Sequence, residues 1–298
     1  MLQEFAVRHG KVPGGRAAIL GMGKLGSREL TAGSDVDLIL LYDHAEDAED
    51  SDGERPLAPS HYYARLTQRL IAAVSAPTAE GVLYELDLRL RPSGNKGPVA
   101  THIDAFRKYQ HEHAWTWEHM ALTRARAIAG DEALGREAEA EVEAVIALPR
   151  DRAKIARQAA EMRRLIETEK PPRDLWDLKL VPGGLIDLEF IAQVAVLTGQ
   201  ITAGERPMST GEALRRLSPG FADAQSTQEL VEAFGLYQGL TQMIRLCLTD
   251  AFRREDVPPG LSDLLLTGTD LPEFGVLEAH IKDTSRKVRK IFDRLLRP

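Results

Sequence analysis

Apolar positions follow two different periods along the first part of this chain and a single period afterwards. Residues 17–20 and 38–42 are continuous apolar runs bounded by glycine or charge, the pattern of short buried strands. Tyr62, Leu66, Leu70, Ile71 and Val74 then recur at helical spacing and predict an amphipathic helix. Across residues 81–91 the period falls to two. Val82, Tyr84, Leu86, Leu88 and Leu90 take one face, and Glu85, Asp87, Arg89 and Arg91 take the other. Pro92-Ser93-Gly94 ends that predicted strand.

From Ile103 onward the pattern is helical. Residues 151–170 contain neither glycine nor proline and are rich in strong helix formers, until Pro171-Pro172 stops them. Helices are also predicted over 185–197, 230–252 and 276–296. A short one opens at Ser209, with Glu212 completing a capping-box pattern, and stops at Pro219-Gly220. The expected architecture is α+β over residues 1–135, followed by an all-helical bundle over 136–298. No repeat of solenoid period is visible.

Composition narrows this picture. The chain has 298 residues, enough for one large or two medium cores, with 43% hydrophobic and 28% charged positions. A net charge of −7 argues against nonspecific nucleic-acid binding, which rests on lysine and arginine. A single cysteine, Cys247, rules out an internal disulfide and suits a reducing compartment; its apolar neighbours predict a packed side chain. No apolar run approaches the roughly 20 residues of a membrane span, and the segment after Met1 lacks a signal-peptide pattern, so no membrane role and a cytoplasmic location are expected. Residues 44–60 concentrate acidic side chains, glycine and proline and read as a solvated, mobile loop.

The chemistry gathers around two of the predicted strands. The first runs into Gly21-Met22-Gly23-Lys24-Leu25-Gly26, and the second opens with Ser34-Asp35-Val36-Asp37. Side chains at i and i+2 leave a strand on one face about 6–7 Å apart, so Asp35 and Asp37 can converge on hard cations. Asp87, on the polar side of the period-two segment, supplies a third carboxylate. Such a set suits two divalent ions holding the entering and leaving oxygens of a phosphoryl centre. Loop amides at Gly21, Gly23 and Gly26 with Lys24 suit the phosphates of a nucleotide, Ser34 or Ser27 offers a hydroxyl, and Arg89 or Arg91 could offset charge on a leaving pyrophosphate.

Each of these residues also has a plainer reading. Asp35 could cap a turn, Asp87 could pair with Arg89 or Arg91, and Lys24 could be a surface lysine. The Gly21-x-Gly23-x-x-Gly26 spacing, with Asp43 beyond it, also matches a dinucleotide fingerprint and hence a nicotinamide oxidoreductase. Too few residues separate Gly26 from Ser34 for the crossover that fold requires, beyond one or two helical turns. His102, His111, His113 and His119 cluster without a tight zinc spacing, and Trp115 with Trp117 reads as core or domain-contact aromatics. The basic run Lys282, Arg286, Lys287, Arg289, Lys290 and Arg294 reads as a solvated helix face.

Four stretches carry a family resemblance. They are Gly21 to Gly26, Ser34-Asp35-Val36-Asp37-Leu38, Leu83-Tyr84-Glu85-Leu86-Asp87-Leu88-Arg89-Leu90-Arg91-Pro92-Ser93-Gly94 and Ala114-Trp115-Thr116-Trp117-Glu118-His119 with its continuation to Arg126. Together with Lys179-Leu180-Val181-Pro182-Gly183-Gly184-Leu185-Ile186-Asp187-Leu188-Glu189-Phe190, they resemble the glutamine synthetase adenylyltransferases. That family joins an AMP-removing, phosphorolytic half to an AMP-adding half, and this chain resembles one half, more closely the adding one. The resemblance implies a nucleotidyltransferase fold of the polymerase-β type, with Asp35, Asp37 and Asp87 as metal carboxylates, and a helical domain after it. It also implies Mg²⁺, ATP as substrate, and glutamine synthetase as the protein acceptor in nitrogen assimilation. In the whole enzyme the PII signalling protein and glutamine regulate activity, which is not expected of one half by itself. Two other readings stay open: a different transferase of the same fold, and a docking module without catalysis.

Overall fold

The computed structural model describes residues 2–79, 81–82, 84–202, 204–207, 209–248, 250 and 252–296. Met1 in the start pattern, Leu83 in the third motif, and Thr249 and Ala251 in the predicted 230–252 helix lie outside them. The chain divides into two compact units, residues 1–148 and 149–298.

In the first unit, α1 (Leu2–His9) leads to β1 (Arg16–Gly21), a one-turn helix α2 (Gly23–Gly26) and β2 (Val36–Asp43). Strands β1 and β2 pair antiparallel from Arg16↔Asp43 to Gly21↔Leu38. A dinucleotide-binding βαβ unit needs parallel strands, so the antiparallel pairing removes that reading of the glycines. The helical turn lies inside the glycine segment rather than after it. On the other side of β1, β5 (Arg126–Gly130) pairs antiparallel with a register shift at Ile19/Leu20. Two short strands share the remaining edge of β2, both parallel to it: β3 (Leu86–Asp87) beside Val36 and Asp37, and β4 (Ala100–His102) beside Leu40 to Tyr42. The result is a mixed five-stranded sheet in an α+β unit.

Alternation along β2 decides which face each helix covers. Leu40 and Tyr42 pack with Phe5 of α1 and with Tyr62, Tyr63 and Leu66 of α3 (Pro59–Val74). Val36 and Leu38 continue this face, with Leu88 and the partly buried Ile71. The intervening Ile39 and Leu41 are almost fully buried, each burial contributing roughly 1.5–3 kcal/mol. Helix α4 (Ile103–Glu112) packs on β2, and α6 (Glu132–Ile146) packs on β1 and β5. Asp131 caps α6 by accepting the Leu134 amide at 2.8 Å. Because α6 is bound to this sheet, the division falls after residue 148 rather than at 135.

Several local expectations change. The segment 81–91 forms a strand only at Leu86–Asp87, because β2 offers it pairing only at Val36 and Asp37 before β4 takes over the edge. Residues 44–58 lack regular structure, as expected, but they are tied down by backbone bonds from Ala45 to Pro13, Asp52 to Lys11 and Arg55 to Arg8. Gly10 and Gly53 allow this contact, since a Cβ on either would strike the backbone of the other. Trp115 and Trp117 are not core residues: they are 70% and 38% exposed at the start of α5 (Thr116–Leu122). The buried group there is Glu118, which accepts the Trp115 amide and the Tyr109 hydroxyl, both at 2.8 Å.

Among its described residues the second unit is helical: α7 (Arg152–Glu169), α8 (Leu185–Leu197), α9 (Thr210–Arg215), α10 (Ala224–Cys247), α11 (Pro259–Thr269) and α12 (Phe274–Leu296). Asp151, Ser209 and Asp223 cap α7, α9 and α10. The Asp223 cap starts α10 six residues before the first residue of the predicted 230–252 helix. Cys247 is exposed, because it sits at the end of α10 beyond the last buried residue, Ile244.

The Gly183-Gly184 motif is a structural lock. Asp187 is fully buried; it pairs with Arg163, accepts the Gly183 amide at 2.7 Å, and takes Arg289 at 3.1 Å. Arg163 also donates to the carbonyls of Leu180 and Val181. Gly183 has φ +83°, and a Cβ there would strike the Ser285 carbonyl of α12. Arg289 therefore faces inward, not onto the solvated face assigned to it from the basic run. Arg286 and Lys287 do lie on the surface, with Asp283.

Candidate active site

The start of β2 and its parallel neighbour β3 bring three carboxylates to one end of the sheet. Asp37 stands in register with Asp87 on the neighbouring parallel strand, so both occupy the sheet face opposite α3. Asp35, two residues earlier, lines an open cavity of about 430 Å³ with Asp87, Glu85, Arg89, Arg91 and Asn95. The Val36 amide donates to Glu85 at 2.8 Å and pins Asp35 beside β3.

The glycine segment meets these carboxylates at one point. Gly23 has φ +50°, and a Cβ on it would collide with the Asp37 carboxylate. The Met22 amide donates to the Asp37 carbonyl at 2.9 Å, joining the start of α2 to β2. Gly26 has a different purpose: a side chain there would strike the carbonyls of Arg124 and Gly21, so it permits α2 to lie against β5. Gly21 is likewise closed in, by Ile128 and Leu25. Lys24 is half-buried on α2, and its carbonyl accepts the Glu29 amide at 2.9 Å. Amides in the first turn of any helix lack an intrahelical acceptor, which leaves Gly23 and Leu25 suited to an anion.

The two hydroxyls predicted for phosphate contact are both buried in local turns. Ser34 accepts the Thr31 amide at 3.1 Å and shares a 2.8 Å bond with the Thr31 hydroxyl. Ser27 donates to the Gly23 carbonyl at 3.1 Å.

The two arginines diverge. Arg91 is buried and donates to the carbonyls of Leu88, Pro98 and Gly97 at 2.7, 2.9 and 3.4 Å, so it braces the turn after β3. Burial pulls its pKa below the ordinary value. Arg89 is exposed and folds back on Asp87: its amide reaches Oδ1 at 2.8 Å and its Nε reaches Oδ2 at 2.7 Å. Burial pushes the Asp87 pKa up, but the Arg89 bonds outweigh it and the net shift is downward. Arg89 itself is held above its ordinary value, first by Asp87 and also by the charges of Asp37 and Asp35.

One positive charge thus already lies in the field of all three carboxylates. Among the described residues no three His, Cys, Asp or Glu side chains close into a metal-holding set, and Arg89 engages both oxygens of Asp87. The donor chemistry still fits hard divalent cations: all three are carboxylates, and all three stabilise a neighbouring cation. Three of the clustered histidines take separate partners. His111 pairs with Glu141, His119 meets the Gln110 carbonyl, and His102 caps α4.

One residue lay in a quoted motif without an assigned role. Arg126 donates to the Gly26 carbonyl at 3.1 Å and so fixes the end of α2 from β5. Its position in the strand after Arg124 was readable, but its partner lies 100 residues away.

With this geometry in view, comparison with known proteins becomes informative. Residues 2–141 match the family described as glutamate-ammonia ligase adenylyltransferase. The chain is 75% identical over 294 residues to a bifunctional glutamine synthetase adenylyltransferase/adenylyl-removing enzyme of Mesorhizobium japonicum. By sequence, the chain belongs to the glutamine synthetase adenylyltransferase family. Relatives of the same name from Brucella suis and Rhizobium meliloti are 61% and 54% identical over 98% of this chain. In each case the chain spans 30% of the relative's length. Membership in the glutamine synthetase adenylyltransferases therefore covers both compact units, while the two activities in the relatives' name are not separated by the match.

Proposed function

We propose that this chain is a nucleotidyltransferase of the polymerase-β type that moves AMP from ATP to a tyrosine hydroxyl of glutamine synthetase, releasing pyrophosphate. The observation that carries the reading is the alignment of Asp37 with Asp87 across parallel strands, against a glycine that leaves room for the Asp37 carboxylate. The relatives' name supports the acceptor, and the adenylylating direction rests on the motifs around Trp115 and Gly183.

Asp35, Asp37 and Asp87 would hold the divalent cations, assigned as two Mg²⁺ by the chemistry of carboxylate ligands. When bound, such ions supply charge neutralisation to phosphate oxygens. The remaining roles belong to the chain. The α2 amides and Lys24 are assigned to the triphosphate, whose negative charge suits a helix start. Asp87 orients and deprotonates the acceptor hydroxyl, which is needed because a free tyrosine has a pKa near 10. For that it must exchange Arg89 for the reactants, and the released Arg89 becomes available to the leaving pyrophosphate. Arg91 acts as a positioning residue through the turn it braces.

The test is incubation of the chain with labelled ATP, Mg²⁺ and purified glutamine synthetase. Metal-dependent label on glutamine synthetase is the expected result. Phosphate-dependent release of the label as ADP from pre-adenylylated glutamine synthetase, without incorporation, would reassign the chain to the removing activity. Absence of both reactions would overturn the enzyme reading. No helix among the described residues is long and apolar enough to cross a membrane, so a membrane role has no support from that quarter.

A further inference from the structure

A second concave site lies on the α3 side of the first unit, away from the face that carries Asp37 and Asp87. It is a cavity of about 400 Å³ whose walls include Arg8 of α1, Arg55 of the loop between β2 and α3, and Arg65 and Arg69 of α3. No acidic side chain lines it. Among the described residues, none of these four guanidinium groups makes an ion pair or a hydrogen bond to a carboxylate. The concentration is unexpected in a chain whose net charge is −7. Arg65 and Arg69 also stand at i and i+4 on one helix, where like charges destabilise it by a few tenths of a kcal/mol.

The frame beneath the arginines is fixed. Arg69 stacks 5.3 Å from the centroid of the buried Phe5 ring. His9, only 5% exposed, bonds through Nδ1 to the Arg55 carbonyl at 2.8 Å, while the Arg55 amide donates to Arg8 at 3.2 Å. Tyr62 of α3 donates to the Gly10 carbonyl at 3.0 Å. Three segments are thus held together, and the exposed arginines they carry line one cavity.

We propose that this cavity binds a small multivalent oxyanion of the phosphate class, apart from the carboxylate site. Guanidinium forks match phosphate oxygens in pairs, and a cavity of about 400 Å³ has room for a small ligand. Helix α3 also carries Ile71 to the wall of the carboxylate cavity, so one helix borders both sites.

Calorimetric titration of the chain with pyrophosphate, in EDTA to exclude divalent metal, tests this. One saturable site is expected, weakened by added salt, and weakened at least tenfold in the double variant Arg65→Gln/Arg69→Gln. Asp37→Asn should leave the affinity unchanged. Parallel titrations with inorganic phosphate and with metal-free ATP identify the source of the oxyanion: an ATP site that loses affinity with the same arginines marks a nucleotide's phosphates as the ligand. Should the double variant fail to fold, Arg8→Gln/Arg55→Gln probes the same cavity from the other two segments. Equal affinity in the chain and in a folded arginine variant, or no binding by any of the three anions, overturns the proposal. So does binding confined to an acidic peptide.

Discussion

Two aspartates in this molecule sit beside arginines and near conspicuous glycines, yet they are built for opposite ends. Asp187 in the second unit is fully buried, and both its oxygens are engaged, by Arg163 on one and by Gly183 and Arg289 on the other. Asp87 in the first unit lines an open cavity and is engaged mainly by one exposed arginine. A buried, saturated carboxylate has no capacity left for a reactant, and removing a partner strands a charge. A carboxylate held by a solvent-exposed arginine can change partners at little cost. The lesson is that aspartate motifs separate into lock and site by where their lone pairs end, not by the letters around them.

The largest effect should come from the open cluster. Asp37→Asn is expected to lower AMP transfer to glutamine synthetase at least about 10³-fold, roughly 4 kcal/mol in the barrier, while the melting temperature stays nearly constant. Near-normal incorporation would break the contrast by making Asp37 a structural residue. The opposite outcome is expected of the lock: Asp187→Asn should destabilise the second unit by about 3–5 kcal/mol in denaturant titration, because it leaves the buried Arg163 with only the partly exposed Glu167, shared with Arg289, as counter-charge. Unchanged stability there would remove the distinction from the other side.

A finer probe is Gly23→Ala. Its Cβ meets the Asp37 carboxylate, and its φ of +50° disfavours any side chain. A loss of about 1–2 kcal/mol in stability and at least tenfold in transfer rate is expected, against a milder effect on ATP-independent properties. The smallest effect is predicted for Arg89→Gln. With Arg89 present, the Asp87 pKa is lowered in the folded chain, so this pair stabilises above the ordinary carboxylate range and its contribution fades as pH falls through the folded value. Without the Arg89 guanidinium, the upward push of burial is opposed only by the residue 89 amide and the Arg91 charge, so Asp87 should titrate at higher pH, measured by carboxyl NMR, with overall stability changed by less than about 0.5 kcal/mol. A titration unmoved by the substitution would mean that Arg89 does not hold Asp87 in solution.

Much of the site was legible from residue order because its parts are local. Asp35 and Asp37 are two apart on one strand, and the glycine turn precedes them by a short return. Strand runs at 17–20 and 38–42 followed from apolar continuity, and the spacing between them already argued against a crossover. The period-two segment misled as to length, since alternation reports a suitable face while strand formation needs a neighbour with free backbone groups. Cys247, Trp115 and Trp117 misled in the same way: apolar character says what a side chain prefers, and the ends of α10 and α5 offered nothing to bury it.

By itself, then, the sequence determined the helix and strand periods, the family, and the Asp35 and Asp37 pair proposed for the chemistry, because each is written in residues close together. Only the tertiary structure decided that β1 and β2 run antiparallel, that Asp87 lies beside Asp37, and that Asp187 is a lock. It also brought four arginines from three segments around one cavity. These are long-range facts, fixed by which backbone edges pair and which faces become buried, and no local pattern encodes them.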